Sequence, residues 1–333
     1  MSNPIASLSI AARATLNMHS LNNEGGEGNQ IQTRMVDIIG ADGRMHNVNA
    51  ISGDMLKHIQ AQHFFELARE QGLPLCAGCN HFDANRINAD SAWIGGMPKS
   101  DREALSSLLG TCAMDDTAGI LITAGGRSLP RKSVVEFGWV IGIPSLVQSE
   151  SYFHVKYAER DKEKVSADAA ARDKDGSNLG QAIFHRPASS GVYAIVCHLE
   201  LGRIGYNDIS QTYAVDASER ARRARALIQS VMHTFLELNG AMRTTQLPHL
   251  VALEGIATWS SSGATPAPMV SPLAGGREES DAYRAQAEQI TQALNGKGAA
   301  VVTSASFADL SGFAQQMRTL VDEAVPAALA PTR

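Results

Sequence analysis

Apolar and polar residues alternate along the first segment of the chain. The apolar positions are Leu8, Ile10, Ala12, Ala14, Leu16 and Met18, and the positions between them include Ser9, Arg13, Thr15, Asn17 and His19. A period of two is typical of a β-strand that buries one face. The pattern therefore predicts a strand whose second face is polar and open.

Similar patterns predict the other regular elements. Predicted strands cover 33–39, 45–51, 119–124, 134–143, 151–157, 192–199 and 299–303, and the first two form a hairpin around 40–43. Predicted helices cover 52–71, 100–110 and 218–239, and one further amphipathic helix lies on either side of 299–303. Ser52 is the expected N-cap of the first helix, and the arginines of 218–239 are expected to share its outer face. Because these elements interleave without the regular spacing of a doubly wound sheet, we expect an α+β fold with an antiparallel sheet and long inserts.

Polar connectors separate these elements within what we expect to be one domain, 1–333. The loop 20–30 is rich in glycine and polar residues, and 158–180 is charged and small without apolar periodicity. The second segment predicts a long excursion that returns to the sheet after 183–187. Residues 260–276 predict a further connector, and a loose tail is expected from Pro326.

Composition narrows the classes of protein. The chain has 333 residues, of which 44% are hydrophobic and 19% are charged, as in globular proteins. No apolar run approaches the roughly 20 residues that cross a bilayer, and no secretory signal is recognisable, so we expect a cytoplasmic protein without membrane contact. The net charge of −5 means that any nucleic-acid site must be local.

The cysteines offer one candidate metal site. The four cysteines are Cys76, Cys79, Cys112 and Cys197, too few for a disulfide framework. The Cys76-x-x-Cys79 pair lies close to His81, and His63 or Cys112 could complete a zinc site. A second pair with zinc-finger spacing is missing. Ordinary reduced thiols are therefore the alternative, and no metal or cofactor is predicted.

No catalytic constellation stands out. The acids Glu24, Glu27, Asp115 and Asp116 could in principle bind a divalent ion. Adjacent aspartates on a strand point to opposite faces, however, which favours a structural role for Asp115 and Asp116. The chain contains no Walker loop, GxSxG or HExxH motif. The sequence therefore predicts a protein that is not an enzyme.

Local basic and polar clusters favour RNA binding. The candidates are Arg13, Asn17 and His19 on the strand, Lys57 and His58 at the start of a helix, and Arg127, Arg131 and Lys132 in one loop. Ile183 and Phe184 could wedge between bases, and Arg186 follows them. Aromatic residues are only 5% of the chain, which predicts backbone-dominated, sequence-tolerant binding.

Several motifs in series resemble the DevR family of CRISPR-associated proteins. They are ATLNMHSLNNEG at 14–25, NQIQTR at 29–34, NAISGDMLKH at 49–58, CAMDDTAGIL at 112–121, RKS at 131–133 and SGVY at 190–193. Such ordered motifs are more specific than one alone. The resemblance, which spans roughly 5–242, adds Asn22, Asn23, Gln30, Arg34, Ser52 and Ser133 to the RNA-binding candidates.

The resemblance implies the backbone subunit of a type I, I-B-like Cascade complex that binds CRISPR guide RNA. Its implied fold is a modified RRM-like (ferredoxin-like) antiparallel palm with helical fingers at about 52–115, a β-hairpin thumb at about 157–190, and C-terminal helices in 260–333. Implied partners are further copies of the chain, large, guide-end and small subunits, and target DNA through the guide. The alternatives are a metal-dependent ribonuclease, as in type III complexes, and a regulatory protein that binds protein partners.

Overall fold

A computed structural model describes residues 4–22, 26–27, 30–157, 181–240, 243–276 and 281–327. Its strands are β1 (Pro4–Ile5), β2 (Ser7–His19), β3 (Gly26–Glu27), β4 (Gln30–Ile31), β5 (Met35–Ile39), β6 (Met45–Ile51), β7 (Ile120–Ile122), β8 (Leu129–Arg131), β9 (Val135–Phe137), β10 (Val140–Tyr157), β11 (Gln181–Leu199), β12 (Tyr206–Asn207), β13 (Thr212–Tyr213), β14 (His249–Ser260), β15 (Val302–Phe307) and β16 (Val325–Pro326). Its α-helices are α1 (Gly53–Glu70), α2 (Ala77–Asn80), α3 (Ser91–Gly96), α4 (Asp101–Thr111), α5 (Ala113–Ala118), α6 (Ala217–Leu236), α7 (Ala282–Asn295) and α8 (Leu310–Glu323).

A large, mainly antiparallel sheet organises the described chain. Its main path runs β15-β14-β2-β11-β10-β6-β5, and β9 and the small β3/β4 pair attach to β11. The strand β2 lies in the middle, with β11 on one side and β14 on the other. The prediction of an α+β fold with an antiparallel sheet is therefore confirmed.

Helices cover the two faces of this sheet unequally. The helices α1, α6 and α8 pack together on one face, where Leu8 and Ile10 of β2 belong to the main core. On the other face, α7 and the segment 264–276 cover Ala11 and Arg13. The polar side of β2 is consequently buried and not open as the alternation predicts. Periodicity identifies the strand, whereas only the tertiary structure decides whether its second face is covered.

Most of the predicted elements are present with shifts of a few residues. The hairpin β5/β6 and the helices α1, α4, α6, α7 and α8 follow the predictions. Ser52 caps α1, and its hydroxyl accepts a hydrogen bond from the Met55 amide at 3.2 Å. None of the helices in the described ranges is long and apolar enough to cross a membrane.

Three local predictions need correction. The predicted strand 119–124 is present as the short β7, but it pairs with β8 in a separate two-stranded sheet and not in the main sheet. Asp115 and Asp116 lie on α5 and not on a strand. Of the α6 arginines, Arg220 and Arg223 are buried, so they do not share an outer face.

The strands β10 and β11 form a long hairpin that extends beyond the helix-covered sheet. Their pairing runs from Ile141↔Ala194 to Tyr157↔Gln181, with a register shift between Gly142 and Val147. Gly191 lies opposite this irregularity. A Cβ atom at Gly191 would be 2.3 Å from the Leu146 carbonyl oxygen, and the Gly191 φ of +155° is one that side chains rarely adopt.

Gly191→Ala is therefore expected to lower the free energy of unfolding by about 1–3 kcal/mol, because the new methyl group forces the bulged strands apart. Gly95→Ala is the matched control, since its Cβ meets nothing within 4 Å in the described chain and α3 tolerates alanine. Urea unfolding of both variants checks this difference. Equal stability of the two variants would contradict the tight fit at Gly191.

Candidate nucleic-acid interface

The start of α1 lines a pocket that contains both basic and acidic side chains. Lys57 and His58 line it together with Phe82, Arg86 and Met114, while Asp54 and Asp83 contribute acidic groups at its edge. The His58 ring lies 5.8 Å from the Phe82 ring, measured between centroids. We call the surface formed by Lys57, His58, Phe82 and Arg86 the α1 pocket. The sequence identified its first two members.

Lys57 and Arg86 repel each other in this pocket. Burial, and next the nearby Arg86 guanidinium, lower the pKa of Lys57, and Asp54 offsets part of this effect. Arg86 is itself held by Asp115, whose Oδ1 lies 3.8 Å from Arg86 Nη1. Two cations kept close together and partly out of water favour an anionic ligand. A phosphate group fits this chemistry.

A second cluster combines a cation with an exposed aromatic side chain. The Arg34 guanidinium carbon lies 5.4 Å from the centre of the Trp139 ring, and Trp139 is 45% exposed. Beside it, Val36, Ile38, Ile141 and Val196 line an apolar hollow on the sheet. Exposed aromatic rings next to arginine can stack on nucleic-acid bases.

The β10/β11 hairpin carries exposed aromatic residues. Phe153 is 59% exposed, and its ring lies 5.9 Å from that of His185, which is directly opposite in the register. Tyr152 is also exposed and is paired with Arg186, whose Nη1 donates a hydrogen bond to Thr245 Oγ1 at 3.0 Å. The backbone pairs Phe184 with His154 and Ile183 with Val155. The side chains of Ile183 and Phe184 lie outside the described residues.

Arg13 is a correction to the predicted RNA contacts. Its side chain is buried, and its guanidinium donates hydrogen bonds to the carbonyl oxygens of Pro272 and Gly276 at 2.7 and 2.9 Å. The guanidinium also lies 5.5 Å from the centre of the Tyr283 ring. Arg13 therefore fastens the segment 264–276 to the sheet and is not accessible to RNA in this conformation.

Arg131 is the second correction. It is buried, and its Nη2 donates to Asp116 Oδ1 at 2.7 Å and to the Arg203 carbonyl oxygen at 2.7 Å. The other carboxylate oxygen of Asp116 accepts from Arg223 Nη1 at 2.9 Å and from the Gly205 amide at 2.9 Å. We call Asp116, Arg131 and Arg223 the buried ion network. It joins α5, β8 and α6, so Arg131 stabilises the fold.

His19 and Asn22 are also inside the protein. His19 is 2% exposed, packs edge-on against Tyr193, and has no hydrogen-bond partner for either ring nitrogen among the described residues. Asn22 donates to the Ala50 carbonyl oxygen at 2.6 Å and accepts from the Ser52 amide at 3.0 Å. Asn22 and Ser52 therefore shape the entry to α1, and His19 is not accessible to RNA.

The remaining candidates differ in their surroundings. Arg127 donates to the Pro98 carbonyl oxygen at 2.7 Å, and the Ser133 hydroxyl donates to the Val135 carbonyl oxygen at 2.6 Å. Lys132 is exposed, and its Nζ lies 3.2 Å from Glu136 and 3.6 Å from Glu200. Three further candidates complete the set: Asn17 is half-buried on β2, Gln30 is placed only through its backbone pairings with His185 and Glu27, and Asn23 lies outside the described residues.

The surroundings of His19 predict a pH dependence of stability. Burial lowers the pKa of His19 from 6.5 to about 4. His19 is therefore protonated below about pH 6.5 in the unfolded chain but only below about pH 4 in the folded chain. Because the unfolded state binds the proton first, the free energy of unfolding decreases as the pH falls from 6.5 towards 4. Between pH 7 and pH 5 the free energy of unfolding of the His19→Phe protein should therefore fall by about 2 kcal/mol less than that of the wild type.

Urea unfolding at the two pH values measures this change. His249→Gln, at an exposed histidine, is the control and should keep the wild-type difference between pH 7 and pH 5. A His19→Phe protein that loses as much stability as the wild type would show that His19 does not cause the dependence.

The structure brings the cysteines into a different cluster from the predicted one. Sulfur atoms of Cys76, Cys79 and Cys112 and a carboxylate oxygen of Asp115 all lie within 4.8 Å of one another, and all four residues are buried. His81 is exposed, and His63 instead lies 3.2 Å from the Glu237 carbonyl oxygen. Burial, and next Cys112, raise the pKa of the Asp115 carboxyl to about 8.

Sequence reasoning missed several of these residues. Arg86, Phe82 and Trp139 carry no motif, and their importance follows only from the residues they meet in space. Tyr152 and Phe153 had an available signal, because adjacent large aromatic residues in a strand place at least one ring on each face. Asp115 appeared next to Cys112 in a motif, but its partners Cys76 and Cys79 are distant in sequence.

The fold and these surfaces define a mixed α+β protein with a large antiparallel sheet and basic and aromatic clusters outside its core. Residues 10–279 match the family described as "CRISPR-associated negative auto-regulator DevR/Csa2". The chain belongs to this family, which confirms the resemblance seen in the sequence motifs.

Two relatives from Saccharolobus solfataricus are similar to this chain. "CRISPR-associated protein Cas7/Csa2 1" is 21% identical over 259 residues, which are 75% of this chain and 77% of the relative. "CRISPR-associated aCascade subunit Cas7/Csa2 2" is 23% identical over 272 residues, 75% of this chain and 78% of the relative. A chain in the solved "CRISPR RNA-guided surveillance complex" is similar to this chain in fold, with a TM-score of 0.50 between the two. The similarity covers 95% of this chain and 98% of that one, at 13% sequence identity.

Proposed function

We propose that this chain is a non-catalytic subunit of a type I CRISPR effector complex and binds guide RNA along the complex backbone. Membership of the DevR/Csa2 family over residues 10–279 is the observation that carries the proposal. The relative named as an aCascade subunit supports it. In this role the protein holds the guide in order, while pairing between guide and target DNA supplies sequence recognition.

In this proposal the parts of the fold take separate tasks. The main sheet is the RRM-like palm, the helical region 52–115 forms the fingers, and 260–333 completes the palm. The segment at about 157–190 is the thumb, and residues 158–180 of it lie outside the described ranges. The extension of β10 and β11 beyond the helix-covered sheet supports a thumb that reaches a neighbouring copy.

The proposed RNA surface consists of the α1 pocket, Arg34 with Trp139, and the hairpin. Lys57 and Arg86 supply cations for phosphate groups, and Phe153 supplies an aromatic face for a base. Ile183 or Phe184 would act as the wedge that displaces a base. Contacts of this kind read the backbone and the shape of the RNA, which tolerates the net charge of −5 because each copy touches few nucleotides.

The proposed partners follow from repetition along the guide. A head-to-tail contact between identical copies leaves open ends, so other subunits must terminate the assembly. We propose further copies of the chain, a large subunit, a guide-end subunit and a small subunit in the cytoplasm. Target DNA is reached through the guide.

Co-expression of the chain with a guide locus and its partner subunits tests the proposal. We expect a large particle with a high ratio of absorbance at 260 nm to that at 280 nm, which dissociates after ribonuclease treatment or at high salt. An RNA-free particle would contradict guide binding and favour the regulatory alternative. Metal-dependent cleavage of target RNA by the particle would instead support the ribonuclease alternative.

A further inference from the structure

The cluster of Cys76, Cys79, Cys112 and Asp115 has the dimensions of a tetrahedral metal site. A tetrahedral zinc ion with ordinary bond lengths holds sulfur and oxygen ligands about 3.5 Å apart and two sulfurs about 3.8 Å apart. Asp115 Oδ2 lies 3.5 Å from Cys76 Sγ and 3.7 Å from Cys79 Sγ. All four ligand atoms lie within 4.8 Å of one another. The two sulfur–oxygen distances therefore match those around a tetrahedral zinc ion.

Two similar turns place these ligands. Cys76 Sγ accepts the Cys79 amide at 3.3 Å, and Cys112 Sγ accepts the Asp115 amide at 3.4 Å. A backbone hydrogen bond of 2.8 Å from the Ala113 amide to the Pro74 carbonyl oxygen brings the two turns together. Amide hydrogen bonds of this type favour thiolate over thiol and fix the direction of the sulfur.

Asp115 supplies an independent sign of a missing ligand. It is fully buried, and its Oδ1 has no hydrogen-bond partner in the described part of the chain, with Arg86 Nη1 at 3.8 Å. A buried carboxylate oxygen without a hydrogen-bond partner is costly. A divalent cation bound by Asp115 Oδ2 and the three sulfurs would neutralise this buried carboxylate and leave Oδ1 facing Arg86.

We propose that Cys76, Cys79, Cys112 and Asp115 bind one structural zinc ion. Three thiolates and one carboxylate suit a borderline-soft metal, and four protein ligands leave no open position for catalysis. The ion joins the turn at α2 to α5, directly behind the α1 pocket through Arg86 and Met114. This site is independent of RNA and exists whether or not the proposed function is correct.

The test uses the full chain, purified without a histidine tag or chelator. Elemental analysis by mass spectrometry is expected to give about one zinc per chain, as for a closed four-ligand site. Replacement by Co²⁺ should give the visible absorption of a tetrahedral thiolate complex. Removal of the metal by a chelator should lower Tm by on the order of 10 °C, because the bound ion stabilises only the folded state.

Variants separate a metal site from a role in packing. Cys112→Ser and Asp115→Asn should lose most of the zinc, whereas Cys197→Ser, at a buried cysteine outside the cluster, should keep it. Asp115→Cys should keep the zinc and shift the Co²⁺ spectrum towards that of four thiolates, which guards against variants that fail to fold.

Folded wild-type protein without stoichiometric metal would overturn the proposal, as would a Cys76–Cys79 disulfide in that protein. One iron per chain in place of zinc would overturn the choice of metal. Equal zinc content in wild-type protein and Cys112→Ser would overturn the ligand assignment.

Discussion

Asp116→Asn is expected to lower the free energy of unfolding by about 3–5 kcal/mol, because it leaves two buried arginines without their shared anion. Asp116 is fully buried and receives hydrogen bonds from Arg131, Arg223 and the Gly205 amide. Breaking a buried ion network costs far more than removing a pair at the surface, since the remaining charges stay out of water.

The matched control is Asp208→Asn, which removes another carboxylate from the same arginine. Asp208 Oδ2 lies 3.2 Å from Arg131 Nη1, but the Asp208 side chain is 43% exposed. We expect its replacement to cost less than about 1 kcal/mol. Urea unfolding followed by circular dichroism measures both variants, and similar losses would contradict the central position of Asp116 in the network.

The same network explains why sequence reasoning misassigned Arg131. Arginine is rarely buried, so an arginine in a glycine- and proline-rich loop predicts a surface cation. Its burial depends on Asp116 and Arg223, which come from distant helices, and no local pattern reveals that pairing. Arg13 is misassigned for the same reason, because its partners are carbonyl groups of 272–276.

Local features were predicted well because their causes are local. The helix α1 follows from its Ser52 cap and apolar stripe, and the hairpin β5/β6 follows from alternation around a glycine turn. The sequence places Lys57 and His58 side by side at the start of a predicted helix, and the structure shows that both line the α1 pocket. Phe82 and Arg86 could not be predicted as members of this pocket, since they join it only through the tertiary fold.

The cysteine cluster shows the intermediate case. The spacing of Cys76 and Cys79 predicts half of a site, and His81 is the nearest further ligand in the sequence. In the fold, the other half comes from the second turn, at Cys112 and Asp115. Of the further ligands that the sequence suggests, Cys112 lies beside Cys76 and Cys79 in the fold, whereas His81 and His63 do not.

The Lys57→Ala/Phe153→Ala double variant is expected to weaken binding of single-stranded RNA about 100-fold at physiological salt, where each tenfold step is 1.4 kcal/mol. The variant lacks the phosphate contact of the Lys57 ammonium group and the stacking contact of the Phe153 ring, and the stacking contact is worth about 1–3 kcal/mol. Removing one phosphate contact should also reduce the slope of log K against log salt by about 0.7. Fluorescence anisotropy over a salt series measures both quantities.

The control removes the same kinds of side chain from a distant helix end. Leu294 is partly exposed on α7, and Lys297 follows that helix, so Lys297→Ala/Leu294→Ala deletes one lysine and one apolar group outside the proposed surface. Both double variants should melt near the wild-type Tm, because none of the four side chains is in the core. If the two variants bind RNA equally well, the cation at Lys57 and the ring of Phe153 are not part of the interface. A selective loss in the first variant would instead locate the RNA path across the α1 pocket and the hairpin.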